Sequence, residues 1–77
     1  MNYIMCYTKD LMTEQALTLV KNGNKYYIEL SNGEEVARKH FDNLNDAQAK
    51  YNRLTGIIIN CYYNFKDRKE ILMEEWK

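Results

Sequence analysis

Proline is absent from this 77-residue sequence, which has only three glycines, two cysteines and one histidine. Without proline there is no extended, semi-rigid linker, and the chain reads as one continuous run of helices and strands, a single domain over 1–77. Cys6, Cys61 and His40 are too few for structural zinc, which takes four Cys or His ligands in close-spaced pairs. No metal or other cofactor is expected. Two lone cysteines far apart read as reduced, buried thiols rather than a disulfide. No apolar run approaches the roughly 18 residues of a membrane span, and "MNYIMCYTKD" has no basic leader. The expected compartment is the cytoplasm. Net charge is absent too, with eleven acidic residues against eleven basic ones. A generic DNA binder shows a basic excess and a DNA mimic an acidic one.

What the sequence does contain is clearest in its middle. "ALTLVK" and "KYYIELS" are β-prone runs separated by "NGN", and "NGE" separates the second from "EEVARKHF". Asn-Gly between apolar runs signals a hairpin, because type I′ turns need positive φ at both central residues. Turns at Asn22-Gly23 and Asn32-Gly33 predict a three-stranded antiparallel meander. Tyr26, Ile28 and Leu30 share the face read as core, and Tyr27, Glu29 and Ser31 share the other. Val36 and Phe41 fall on opposite phases, which suggests a bulge or twist near Arg38–Lys39.

"FDNLNDAQAKYNRLTG" reads as a helix. Asn45 is placed as its N-cap, Asp46 suits the positive helix end, and Ala47, Tyr51 and Leu54 recur at helical spacing. Leu44 and Ala49 stand where a hydrophobic staple would pair them. In "TGIIINCYYNF", Thr55 to Phe65, two periods fit. The helical one continues through Ile58, Cys61 and Phe65; the strand one alternates from Ile57. Gly56 and the β-branched run Ile57–Ile59 weaken a helix, but one ending at Thr55 would be marginally short. The preferred reading is a helix from Asn45 to about Tyr63, then a final strand at Lys69–Trp76. The alternative ends the helix at Gly56 and makes Ile57–Tyr63 a strand, and the tail also fits a helix begun by Asp67. The fold class is α+β: an antiparallel meander of three or four strands with one main helix on one face.

Catalytic patterns are missing: no supported Ser/His/Asp set, no phosphate-cradling glycine loop, no H-E-x-x-H. His40 reads as a surface histidine. Glu34–Glu35 and Glu74–Glu75 read as a solvated turn and a solvated face. Cys61 shows no base or electropositive neighbour that would activate it. An enzyme is not expected.

Seven tyrosines and one tryptophan exceed what so small a core covers, and these are residues that protein interfaces favour. The candidate partner-binding set is Tyr27, Glu29, Glu34 and Glu35 on the outer sheet and hairpin tip, with Trp76 as an exposed anchor. Trp76 reads equally well as a residue closing the core against the helix. The candidate nucleic-acid set is Arg38, Lys39, Lys66, Arg68 and Lys69, with Tyr27 available to stack on a base. A homodimer would also absorb the surplus aromatics.

"YYIELSNGEEVARKHFDNLNDAQAKYNRL", Tyr26 to Leu54, resembles the hairpin-plus-helix core of small phage and mobile-element accessory proteins, anti-CRISPR proteins among them. The features that carry the resemblance are the short strand, the Asn32-Gly33 turn, the strand ending in Phe41 and "NLNDAQAKYNRL". It implies a stoichiometric binder that blocks or redirects a host protein, such as a CRISPR effector. The balanced charge departs from the acidic, DNA-imitating members of that group. No functional motif comes with the layout, so no residue is carried over.

Overall fold

The computed structural model describes residues 2–10, 14–33, 35–59 and 65–77, with no side-chain detail for 59 and 65–69. Four strands come first: β1 (Asn2–Asp10), β2 (Gln15–Asn22), β3 (Lys25–Ser31) and β4 (Val36–Phe41). Two helices follow, α1 (Leu44–Ile59) and α2 (Phe65–Trp76). The strands pair antiparallel in the order β1-β2-β3-β4. The α+β class, with a four-stranded antiparallel meander and a main helix packed on it, is as the sequence predicts. The fourth strand is N-terminal, however. The tail read as a strand at Lys69–Trp76 is helical instead, and that helix begins at Phe65, ahead of Asp67.

The turns differ from the expected type I′ pair. Asn22 pairs with Lys25, so the first turn is Gly23-Asn24, with φ +64° at Gly23. Glycine at the first central position with positive φ, and no positive φ at Asn24, is the signature of a type II′ turn. The second connection is longer, because Ser31 pairs with Val36. Asn32 closes it from both sides: its amide donates to the Glu35 carbonyl at 3.2 Å, and its side-chain oxygen accepts from the Glu35 amide at 2.8 Å. Gly33 there has φ +95°. β4 pairs with β3 without a register shift, so there is no bulge at Arg38–Lys39. The bulge lies in β1, where Met5 stands unpaired between Ile4 and Cys6.

Alternation sorts the sheet into two faces. Cys6, Thr8, Leu17, Leu19, Ile28 and Leu30 point to the helices by cross-strand pairing. Leu17, Leu19 and Ile28 are fully buried there, joined by Ala47, Tyr51, Leu54 and Ile58 of α1 and by Leu72 and Trp76 of α2. Each such large aliphatic contributes about 1.5–3 kcal/mol on burial. That exceeds the ~1 kcal/mol that Gly56 costs inside α1. The helix accordingly runs through Gly56 to Ile59, and the strand alternative is wrong over 57–59. Cys61, and the end of the helix expected near Tyr63, lie outside the described residues.

Asn43, not Asn45, caps α1. Its side-chain oxygen accepts the Asp46 amide at 2.9 Å, and its amide group donates to the Asp46 carboxylate at 2.9 Å. The first bond is the N-cap itself, and the second is a side-chain pair that holds the cap in place. Ala49 is exposed, so the expected staple with Leu44 does not form; Leu44 packs against the core.

Candidate functional site on the outer sheet face

The face of the sheet away from the helices is built from the other set of cross-strand partners. One row crosses all four strands: Ile4, Val20, Tyr27 and His40. The next row is Tyr7, Thr18, Glu29 and Arg38. The first is chiefly apolar and aromatic, while the second places a tyrosine at one edge and an ion pair at the other.

Tyr27 is the centre of this face, and its surroundings explain its burial. The Arg38 guanidinium sits 4.9 Å over its ring, and the His40 ring lies 5.6 Å away at 54°. Arg38 also pairs with Glu29 at 3.6 Å. Cation–π stacking and the ion pair hold Arg38 flat against the sheet. Tyr27 is therefore only 5 % exposed although no helix covers it. The accessible apolar surface lies instead towards β1, where Ile4 is 70 % and Tyr7 60 % exposed. Neither residue was singled out from the sequence. Their signal, two large apolar residues in an N-terminal β-prone run, is present in "NYIMCYTKD".

The predicted partner-binding residues do not gather in one place. Tyr27 and Glu29 sit together on the outer face, and Glu35 is exposed at the hairpin end. Glu34 lies outside the described residues. Trp76 is not an exposed anchor, because it is buried in the core beside Leu72 on the opposite side of the sheet. Its ring carries the Lys39 ammonium at 5.4 Å.

The basic set divides as well. Arg38 faces outwards, and its neighbour Lys39 faces the helices, as strand alternation demands. Lys39 donates to the carbonyls of Trp76 and, at 3.2 Å, Lys77. Lys50 of α1 donates to the Glu75 carbonyl. Two lysines from separate elements thus meet the carbonyl-rich end of α2, where positive charge is favoured. The side chains of Lys66, Arg68 and Lys69 lie outside the described residues.

Acid–base groups are few on the outer face. His40 is exposed and touches no carboxylate there among the described contacts. Among the described residues, no group of three or more His, Cys, Asp or Glu side chains is placed to hold a metal ion. No helix there is long and apolar enough to cross a membrane. Cys6 is a half-buried free thiol on the helix side of β1. A cleft of about 90 Å³ lined by Leu30, Asn32, Glu35, Val36, Ala37 and Met73 opens at the start of β4. It is well below the few hundred Å³ that small-molecule sites usually occupy. Comparisons with protein-family models, with curated proteins and with solved structures find no match to this chain.

Proposed function

We propose that this chain is a non-enzymatic binding module that docks another protein on the outer face of its sheet. The observation that supports it is the composition of that face: an apolar and aromatic row of Ile4, Val20, Tyr27 and His40 crossing all four strands, with Ile4 and Tyr7 exposed. The contact area comes from Ile4 and Tyr7, beside a Tyr27 held rigid under Arg38, and tyrosine gives such area at little entropic cost. The Glu29–Arg38 pair supplies the polar rim. In this reading the partner is a cytoplasmic protein, and binding blocks or redirects it, as in the phage and mobile-element accessory proteins that Tyr26–Leu54 resembles.

The test is capture of the partner by the tagged chain from host lysate, with and without nuclease, beside a Thr18→Lys variant. Thr18 is half-buried at the middle of the outer face on an internal strand. One protein retained after nuclease, and lost with Thr18→Lys while the melting temperature holds, supports the reading. Nucleic acid recovered only from the untreated half, with no protein, overturns it in favour of a single-strand binder. Steep salt dependence would then follow.

A further inference from the structure

Asn-Gly occurs at Asn22-Gly23 and Asn32-Gly33, and both pairs stand where one strand turns into the next. The dipeptide carries its own chemistry. Asparagine is a chemically labile residue, and a following glycine leaves its backbone nitrogen open to approach because it has no Cβ. Ring closure brings that nitrogen to about 3–3.5 Å from the asparagine side-chain carbonyl carbon. It needs a side chain free to rotate and a nitrogen not otherwise engaged.

The fold treats the two pairs differently. Asn32 is held on every side. Its side-chain oxygen accepts from the Glu35 amide at 2.8 Å, its own amide donates to the Glu35 carbonyl at 3.2 Å, and the Gly33 amide donates to Ser31 Oγ at 3.4 Å. Electrophile and nucleophile are both occupied. Asn22 and Gly23 are exposed, and among the described residues neither the Asn22 side chain nor the Gly23 amide makes a hydrogen bond. Asn22 pairs with Asn2 and with Lys25 at the ends of both its ladders, where a sheet opens most readily.

We propose that the fold directs spontaneous deamidation to Asn22 and spares Asn32. The Gly23 nitrogen gives its proton to hydroxide and bonds to Asn22 Cγ. The bond from Cγ to the side-chain nitrogen breaks, and ammonia leaves with a proton from water. Water then opens the resulting cyclic imide at either carbonyl, giving aspartate or isoaspartate. The balance is one water in and one ammonia out, with nothing oxidised or reduced. In the isoaspartate form the backbone runs through the former side chain, one carbon longer. The tight turn with Gly23 at φ +64° has no room in its register for that extra atom. Ageing therefore loosens the β2–β3 hairpin. This inference does not depend on the docking reading.

The test ages the folded full chain in mildly alkaline buffer made with heavy-oxygen water. Each asparagine is followed by peptide mass spectrometry that separates isoaspartate from aspartate. Asn22 should convert about tenfold or more faster than Asn32, take up heavy oxygen and give both products. In urea, where the bonds around Asn32 are gone, the two rates should come within about threefold. Asn22→Gln, whose longer side chain closes a larger ring far more slowly, should remove the fast phase and so distinguish Asn22 from Asn24. The isoaspartate form should melt below the fresh chain, whereas Asn22→Asp should not. Asn32 converting as fast as Asn22 in the folded chain overturns the proposal. So does a fast phase that survives Asn22→Gln, or a tenfold difference that persists in urea. An isoaspartate form as stable as the fresh chain overturns the loosening of the hairpin.

Discussion

The hydroxyl of Thr8 lies 2.8 Å from the phenol oxygen of Tyr51, joining the edge strand β1 to the middle of α1 across 43 residues of sequence. Tyr51 in turn donates to the Leu17 carbonyl at 3.4 Å, so the relay runs from Thr8 through Tyr51 to the β2 backbone. Removing the Tyr51 hydroxyl takes that partner from the half-buried Thr8 and from the Leu17 carbonyl; removing the Thr8 hydroxyl leaves Tyr51 only its long bond to Leu17. Tyr51→Phe and Thr8→Val should each destabilise by about 0.5–1.5 kcal/mol in urea unfolding. The double variant should fall short of their sum by about 0.5 kcal/mol or more, since both remove one bond. Strict additivity would mean that the bond contributes nothing.

Burial pushes the Tyr51 phenol above its ordinary value of 10.0; the Thr8 hydrogen bond opposes the shift, and the nearby Cys6 thiol adds to it. The neutral form is thus favoured in the fold. Its contribution to stability is complete below pH 10 and is lost as pH rises from there through the folded-state pKa. Tyrosinate absorbance followed to high pH should show a late-titrating contribution that Tyr51→Phe removes. The variant's stability should also fall less steeply above pH 10 than that of the native chain.

Glu75 shows the opposite sign. Arg53 at 3.1 Å, then Lys50 at 3.4 Å, hold its carboxyl below 4.5. The ionised form is favoured by folding, so the contribution is present above the ordinary carboxylate pKa and disappears as pH falls through the depressed one. The group is partly exposed, which keeps the effect small and salt-sensitive. Glu75→Gln should be less stable than the native chain at neutral pH and low salt. The two denaturation midpoints should converge in acid.

Asn43 and Asn45 are two residues apart, yet only the first caps α1. Asn43→Ala should cost about 1 kcal/mol, and Asn45→Ala, exposed inside the first turn, a few tenths at most. Equal losses would move the start of α1.

Glycine to alanine should have opposite effects at two sites. Gly56 is helical and exposed, with open space where a Cβ would stand, so Gly56→Ala should stabilise by about 0.5–1 kcal/mol. Gly23 also has room, but its φ of +64° suits no Cβ, and Gly23→Ala should destabilise by about 1 kcal/mol or more. Thermal melts of both variants check the pair.

These contrasts show what was legible in the sequence. The hairpins around Gly23 and Gly33 and the core set Ala47, Tyr51, Leu54 and Ile58 rest on local chemistry and on period, which a sequence displays directly. β1 was missed because the extra residue at Met5 breaks the two-residue alternation that marks a strand. The helical tail was misread because its stabilising contacts are remote: Lys39 and Lys50 meet its final carbonyls, and Leu72 and Trp76 at i, i+4 pack into a core assembled elsewhere. Of the candidate site, the outer face around Tyr27 and Glu29 was readable by parity. The exposure of Ile4 and Tyr7 depends on which strand becomes the edge, and no pattern in the sequence states that.

The strand order has a consequence for how the chain reaches its structure. Every strand pairs with the one made just before it, so no strand waits for a residue that lies beyond a helix. Loop closure is the slow and entropically costly part of forming a sheet, and here each closure joins strands only a few residues apart in sequence. The four strands can zip up in the order in which they leave the ribosome. The helices, coming last, then close over a sheet that already offers Leu17, Leu19 and Ile28 on a single face.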